Sequence, residues 1–287
     1  MTTATSSPRQ PTARDALAKV PEITLVFWLL KLLSTGIGEV VSDYAGSVST
    51  TYGAIVITAG FALAMWLQLR QPAYRAAYYW AAVLAVAVFG TMVADGVHGD
   101  LGFGYAVTTP MFAVITALVF LWWYRSEGTL SIHTIDTPRR ERFYWAAVFA
   151  TFALGTAAGD FTATTLNLGY MDSVLLFAGV ICIPAIGWWR LDLNPIVGFW
   201  FAYVITRPLG ASFSDWFSKP ASITGLGLGN GTVALLGMLV FVPIVAWVAI
   251  TKLDIQPGHG PHPHPHAQRD AEHAAAHGAP VLAPEAE

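Results

Sequence analysis

Four aspartates stand at the same position of four apolar segments in this 287-residue chain. Each lies fifteen residues after a tryptophan and directly after a small residue, and the four are Asp43, Asp95, Asp160 and Asp215. A carboxylate at membrane depth costs roughly 3 to 10 kcal/mol or more, so such groups usually face a protein interior or a water-filled cavity. The spacing predicts a shared polar layer in the outer third of the bilayer. The alternative is a set of helix-end residues among the outer headgroups.

The first of these segments carries further ionisable groups on one helix face. At four-residue spacing it holds Lys31, Thr35, Glu39 and Asp43. In the fourth segment, Arg207 occupies the position that Thr35 has in the first. We therefore predict that the first and seventh helices face each other. The predicted pairs join Arg207 and Lys31 to Glu39, Asp43 or Asp215.

Two interpretations of these charges stay open. They could line a polar pathway through the membrane, with threonines as supporting groups at Thr35, Thr91 and Thr156. They could instead form a buried ion-pair network that only holds helices together, although hydrophobic residues would usually stabilise a bundle as well.

The residue types favour a small cation as the transported species. A divalent transition metal such as manganese is the favoured substrate. Carboxylate oxygens suit manganese and magnesium, whereas imidazole suits zinc, copper and nickel, so the carboxylates and the histidines do not name one metal. A weak second metal site is suggested in the C-terminal tail by His259, His262, His264 and His266. The alternatives are a proton-coupled carrier of a small organic solute and a non-transporting scaffold or sensor. We expect no enzyme, no cofactor and no nucleic-acid partner, because no nucleophile and base pair or binding motif stands out.

A repeated frame positions the aspartates. It recurs four times without insertion or deletion, with an aromatic residue before each tryptophan and a glycine ten residues after it. The tryptophans are Trp28, Trp80, Trp145 and Trp200, and the glycines are Gly38, Gly90, Gly155 and Gly210. Repeats of fixed length indicate one structural unit used several times. The glycines predict close contacts between helices.

The composition places these repeats in a membrane. Hydrophobic residues make up 55% of the chain and charged residues 11%, with a mean hydropathy of +0.53, against about 25% charged residues in soluble domains. Each repeat holds two apolar segments long enough to cross a bilayer. The sequence predicts an all-α membrane protein of eight transmembrane helices, with repeats at about 22–70, 76–125, 142–190 and 195–252. The lone cysteine, Cys182, excludes an intrachain disulfide.

The basic residues set the expected orientation. Twelve of the fifteen lysines and arginines lie beside the termini or between repeats, so both termini are predicted to be cytoplasmic. Residues 1–21 then form a polar cytoplasmic segment, and 253–287 a disordered His-rich cytoplasmic tail. The four repeats are parallel, and the sequence leaves open whether they form one ring or two halves, and whether the protein is a homo-oligomer.

Four tandem two-helix repeats, each with a tryptophan in its first helix, resemble a family of bacterial membrane proteins known as a repeat of unknown function. Its members are described as uncharacterised membrane-anchored proteins. The resemblance covers about residues 22–252. It implies a multi-pass protein of the bacterial inner membrane, and it brings no substrate or site residues.

Overall fold

Eight long helices make up the part of the chain that the computed structural model describes, residues 18–255. They are α1 (Leu25–Val48), α2 (Thr50–Leu69), α3 (Ala76–Gly99), α4 (Tyr105–Glu127), α5 (Pro138–Asp160), α6 (Tyr170–Leu191), α7 (Pro195–Ser218) and α8 (Asn230–Thr251). All eight are long and apolar enough to cross a membrane. The predicted all-α fold with eight membrane-spanning helices is confirmed.

Local signals in the sequence begin several of the helices. The Thr24 hydroxyl accepts a hydrogen bond from the Phe27 N–H at the start of α1, and Thr137 does the same for α5 ahead of Pro138. The Asn194 side chain caps α7. Such side chains satisfy backbone N–H groups that have no partner inside the helix. These caps fix where the three helices begin.

In three of the four repeats, the first helix is longer than the sequence predicted. The apolar segments in the sequence predict that the first helices end at about residues 42, 95, 160 and 214, beside the four aspartates. In the structure, α1, α3 and α7 continue to Val48, Gly99 and Ser218. After Asp160, α5 is followed by a short turn of π-helix over Phe161–Thr165. Asp43, Asp95 and Asp215 therefore lie about one turn inside their helices.

The first helices of the repeats form a closed ring. Helix α1 packs against both α3 and α7, and α5 also packs against both of these helices. The second helices lie outside, where α2 covers α3, α4 covers α5, α6 covers α7 and α8 covers α1. The second helix of each repeat thus packs on the first helix of the next repeat, and the last closes on the first. The four repeats therefore form one ring rather than two halves.

The repeat glycines make the ring tight. A Cβ atom built on any of them would lie closer than 3.0 Å to the residue seven positions after the tryptophan of the next repeat. The four pairs are Gly38 with Ala87, Gly90 with Phe152, Gly155 with Arg207, and Gly210 with Thr35. The predicted close helix contacts are therefore present, and they follow the same cyclic order as the helices.

Burial separates the inner from the outer helices. In the membrane-spanning windows, 44–67% of the inner-helix residues are buried, against 11–28% in the outer helices. The outer helices expose large apolar side chains such as Ile55, Leu118 and Leu235. These surfaces suit contact with lipid.

Candidate functional site

The ring places one residue of each repeat at each level along its axis. We call the end where the two helices of a repeat connect the hairpin end, and the end near residues 18–24 and 252–255 the terminal end. Eleven residues after each tryptophan, the ring contains Glu39, Thr91, Thr156 and Ala211. Because the frame from tryptophan to aspartate has the same length in all four repeats, these side chains come from four helices at one level.

Glu39 is the centre of a hydrogen-bonded cluster at that level. Its Oε2 atom accepts hydrogen bonds from the hydroxyls of Thr91 and Thr156, each at 3.1 Å. The Arg207 Nη2 atom lies 3.0 Å from the same oxygen and 2.8 Å from the Thr156 hydroxyl, and it also contacts the Thr91 hydroxyl. Arg207 Nη1 donates to the Thr35 carbonyl at 3.0 Å. The cluster joins all four repeats.

The ion pair in this cluster is deeply buried. The Arg207 side chain has no exposed area and that of Glu39 is 3% exposed. Removing one partner of such a pair leaves an uncompensated charge in an apolar interior. The predicted contact between α1 and α7 and the pairing of Arg207 with Glu39 are both observed.

Lys31 departs from the prediction. We expected it to pair with a carboxylate, and this is wrong for the residues that the structure describes. Its buried Nζ atom has no hydrogen-bond partner there. It lies instead over two aromatic rings, 4.2 Å from the ring centre of Phe152 and 4.1 Å from that of Tyr203. The rings come from α5 and α7 and stabilise a cation through their electron-rich faces.

The partner of the outer aspartates is Lys219, which the sequence analysis did not identify. Its Nζ atom lies 2.5 Å from Asp43 Oδ2 and 3.7 Å from Asp215 Oδ1. Burial alone would lower the pKa of Lys219, but the carboxylates of Asp215 and Asp43 outweigh it and hold the pKa above its ordinary value. The four-residue spacing of Asp215 and Lys219 was the available signal. No sequence signal predicted the contact of Lys219 with Asp43, because that contact forms only when the first repeat packs against the fourth.

A cavity of about 430 Å³ contains the acidic groups and opens at the hairpin end. Its lining includes four of the five predicted carboxylates, Glu39, Asp43, Asp95 and Asp160, together with Asp100 and Lys219. Residues of the connections between helices also line the cavity, so it extends from the hairpin end to Glu39. Glu39 lies about 13 Å along α1 from Val48, the last residue of that helix, at 1.5 Å per residue. Asp215 is not part of the lining and adjoins it through Lys219. The carboxylates converge on one space.

The carboxylates of the cavity are unequally compensated. Glu39 and Asp43 have their cationic partners, whereas Asp95 and Asp160 form no ion pair with any residue between 18 and 255. Every hydrogen bond that Glu39 accepts from this part of the chain goes to Oε2. Its Oε1 atom therefore accepts no hydrogen bond from residues 18–255.

Within residues 18–255, no group of three or more His, Cys, Asp or Glu residues is close enough to hold a metal ion. The predicted tail histidines, from His259 to His266, lie outside the described residues. The described part of the chain thus has no assembled metal centre.

Comparison with known proteins identifies the repeat. A family model described as Repeat of Unknown Function (DUF347) matches residues 78–129, 143–193 and 198–253, which together exceed half of the chain. The chain belongs to this family. No curated protein matches it and no solved structure matches it.

The DUF347 matches correspond to the second, third and fourth repeats of the ring. The first repeat, α1 and α2, lies outside them, although it has the same helix pair and the same tryptophan and glycine spacing. This repeat supplies Lys31 and Glu39, so its inner face differs in charge from those of the matched repeats.

An aromatic layer separates the cavity from the terminal end of the DUF347 ring. In each repeat, the aromatic residue before the tryptophan packs on the tryptophan of the next repeat, with ring centres 5.6–6.2 Å apart. The pairs are Phe27 with Trp80, Tyr79 with Trp145, Tyr144 with Trp200, and Phe199 with Trp28. The Tyr79 and Tyr144 hydroxyls lie 2.5 Å apart. This layer fills the axis with side chains.

A second ion pair lies beyond the aromatic layer, at the terminal end. Lys19 Nζ lies 2.6 Å from Glu141 Oε2, and the Gln68 amide donates to Glu141 Oε1 at 3.0 Å. Glu141 is fully buried. In the sequence, Lys19 is one of the twelve basic residues that set the expected orientation, and nothing predicts this pair because Glu141 is 122 residues away.

The chain segments at the terminal end are tied together beside this pair. The Tyr74 hydroxyl donates to the Asp254 carboxylate, and the Glu22 N–H donates to the Asp254 carbonyl at 2.8 Å. Burial raises the pKa of Asp254 and also that of Tyr74. We call these two sets of contacts, Lys19–Glu141–Gln68 and Tyr74–Asp254–Glu22, the terminal latch. In the part of the chain that the structure describes, the acidic cavity thus lies at the hairpin end and the buried contacts of the latch lie at the terminal end.

Proposed function

We propose that this protein transports a small cation across a membrane, with a divalent transition metal ion such as manganese as the favoured substrate. The observation that carries the proposal is the acidic cavity that extends from the hairpin end to Glu39. Five carboxylates line it, and Lys219 is the one basic side chain among the described residues of its lining. A cleft lined by charges of one sign concentrates counter-ions.

The chemistry of the lining favours a hard divalent cation. Carboxylate and hydroxyl oxygens can replace the water that such an ion loses on entry, and they suit manganese and magnesium. Asp95, Asp160 and the Oε1 atom of Glu39 are the groups that we propose as ligands along the path. They come from three different helices, so their spacing can change when the helices move.

The aromatic layer and the terminal latch support alternating access. Parallel repeats around an axis along the membrane normal occur in transporters, where rigid-body movements of the repeats open one side and then the other. For passage to the terminal end, the aromatic layer must part and the terminal latch must open. We place the protein in the bacterial inner membrane with both termini in the cytoplasm, so the cavity of this structure faces outward. An exporter would release its cation from this cavity.

The experiment is a flux measurement with the full-length chain in proteoliposomes that contain a dye quenched by Mn²⁺. We expect saturable quenching with the wild type and none above background with Glu39→Gln. The matched control is Glu127→Gln, since Glu127 pairs with Arg139 and Arg140 at the terminal end, away from the cavity. This control should retain the wild-type rate. No flux of Mn²⁺ through the wild type would contradict the proposal.

A proton-coupled carrier of a small organic solute is the second candidate. The cavity volume of about 430 Å³ favours it, because this is larger than one metal ion needs and lies within the range of small-molecule sites. Flux of protons without Mn²⁺ flux, stimulated by an organic solute, would support this candidate. A protein that moves neither would be the scaffold or sensor of the remaining alternative.

A further inference from the structure

Lys219 places a positive charge inside the acidic cavity. It belongs to the connection between α7 and α8, yet its ammonium group lies between Asp43 on α1 and Asp215 on α7. These are the first and fourth members of the four-aspartate layer, and they are neighbours because the ring is closed. One half of the layer is thus bridged by a cation that the chain itself supplies.

The other half of the layer has no such cation. Asp95 and Asp160 line the same cavity, and neither forms an ion pair with any side chain between residues 18 and 255. The ammonium between Asp43 and Asp215 therefore shows how a cation sits between two neighbouring aspartates of this ring. It also occupies ligands that a transported cation would otherwise use.

We propose that Lys219 is a tethered competitor of the transported cation, whose ammonium group holds Asp43 and Asp215 until an entering cation replaces it. This inference rests on the proposed function. In the occupied state, the ion is shared by the carboxylates of the layer and the Lys219 side chain turns toward the cavity mouth. When the ion leaves, the ammonium returns and the layer is again partly neutralised.

The local structure allows this exchange through the side chain alone. The Lys219 N–H donates to the Asp215 carbonyl at 2.8 Å, and its carbonyl accepts from the Gly227 N–H at 2.8 Å. A Cβ atom at Gly225 would overlap the Lys219 backbone, so the connection is closely packed there. The side chain itself is 25% exposed. The backbone is fixed, and the partly exposed four-carbon chain can move toward the cavity mouth.

The competition also gives a basis for selectivity. The Lys219 ammonium carries one charge and is held close to its carboxylates without any loss of translational freedom. A free monovalent cation has the same charge and no such advantage, whereas a divalent cation interacts twice as strongly with each carboxylate. The tether thus favours divalent over monovalent cations.

The test is a calorimetric titration of Mn²⁺ into the purified full-length chain in detergent. Removing the charge in Lys219→Met should tighten Mn²⁺ binding at least about tenfold, since one like charge near the ion is lost. Lys219→Gln, which keeps a donor for Asp43, should tighten it as well and covers the case that the methionine variant does not fold. Lys219→Arg should bind as the wild type does. Lys252→Met, the same charge change in the exposed residue at the end of α8, should have no effect.

The outcomes separate this inference from the proposed function. If the wild type transports Mn²⁺ and neither neutral variant binds it more tightly than the arginine variant, Lys219 is not a competitor and the transport proposal stands. If the wild type neither binds nor transports Mn²⁺, both proposals are overturned. Tighter binding in Lys252→Met as well would show a general charge effect and would also overturn the tethered-competitor inference.

Discussion

At the scale of single residues, the buried pair of Glu39 and Arg207 combines a structural and a proposed functional role. Glu39→Met leaves the guanidinium of Arg207 without its carboxylate in an apolar interior, which we expect to cost about 3–5 kcal/mol of stability. The double variant Glu39→Met with Arg207→Met removes both charges and should regain most of that loss. Thermal unfolding in detergent measures the stability.

Flux through the same variants separates the two roles. On the present account, the double variant is stable and transports no Mn²⁺, because the carboxylate at the inner end of the cavity is gone. A double variant that folds and still transports at the wild-type rate would show that the pair only holds the helices together.

Residue spacing predicted this pair because its members lie at defined levels of the repeat. It did not predict the surroundings of Lys31 or the contacts of Lys219. Phe152 and Tyr203, which flank Lys31, are apolar core residues by sequence, and only the arrangement of α1, α5 and α7 brings their rings to the ammonium group. Likewise, Asp43 meets Lys219 because the first repeat closes on the fourth.

At the scale of helices, the glycine contacts should set the stability of the ring. Gly155→Ala places a methyl group against the Arg207 side chain and Pro208, where there is no space. We expect a loss of about 1–3 kcal/mol from this overpacking. Gly60→Ala on the outer helix α2 is the matched control, since its new methyl group would meet no atom within 4 Å.

The control should unfold at the wild-type temperature or slightly above it, because alanine favours the helix. Equal unfolding temperatures for the two variants would contradict the close packing at Gly155.

The terminal latch should loosen as pH rises. Burial raises the pKa of Asp254 in the folded chain, so the folded state favours the protonated carboxyl group. Its contribution to stability is complete below the ordinary carboxyl pKa of 3.8, and it is lost as pH rises through the higher folded value. Amide hydrogen exchange of residues 18–24 and 252–255, corrected for the intrinsic rate, should therefore be faster at pH 7 than at pH 4.

Asp254→Asn is the control for this pH dependence, because an amide can still accept from the Tyr74 hydroxyl but does not titrate. The difference between pH 4 and pH 7 should be smaller in this variant than in the wild type. The same difference in both proteins would show that Asp254 does not control the latch.

At the scale of the whole molecule, the repeat determines most of the architecture. The equal spacing of tryptophan, glycine and aspartate predicted four repeats, and the two apolar segments in each repeat predicted eight helices. The sequence could not decide between one ring and two halves, because that choice depends on which faces of α1 and α7 meet. The cyclic contacts of the glycines and of the aromatic pairs now show a single ring.

The four repeats of the ring share one frame, but their charged residues are distributed asymmetrically. Four equivalent levels around one axis would be symmetric if the repeats were identical. The charged residues at the inner levels come from the first and fourth repeats, with Lys31 and Glu39 in one and Arg207 in the other. Threonines occupy the level of Glu39 in the second and third repeats. The carboxylate of Glu39, at the inner end of the cavity, is therefore held by neighbours that differ on each side.

The central claim is that a divalent cation enters the acidic cavity and is held by its carboxylates. The most direct measurement is anomalous X-ray scattering from crystals of the full-length chain grown with Mn²⁺, with data collected above and below the manganese absorption edge. The account predicts an anomalous peak in the cavity, within coordinating distance of Asp95 and Asp160. A fully occupied peak only at the tail histidines, with none in the cavity, would contradict it.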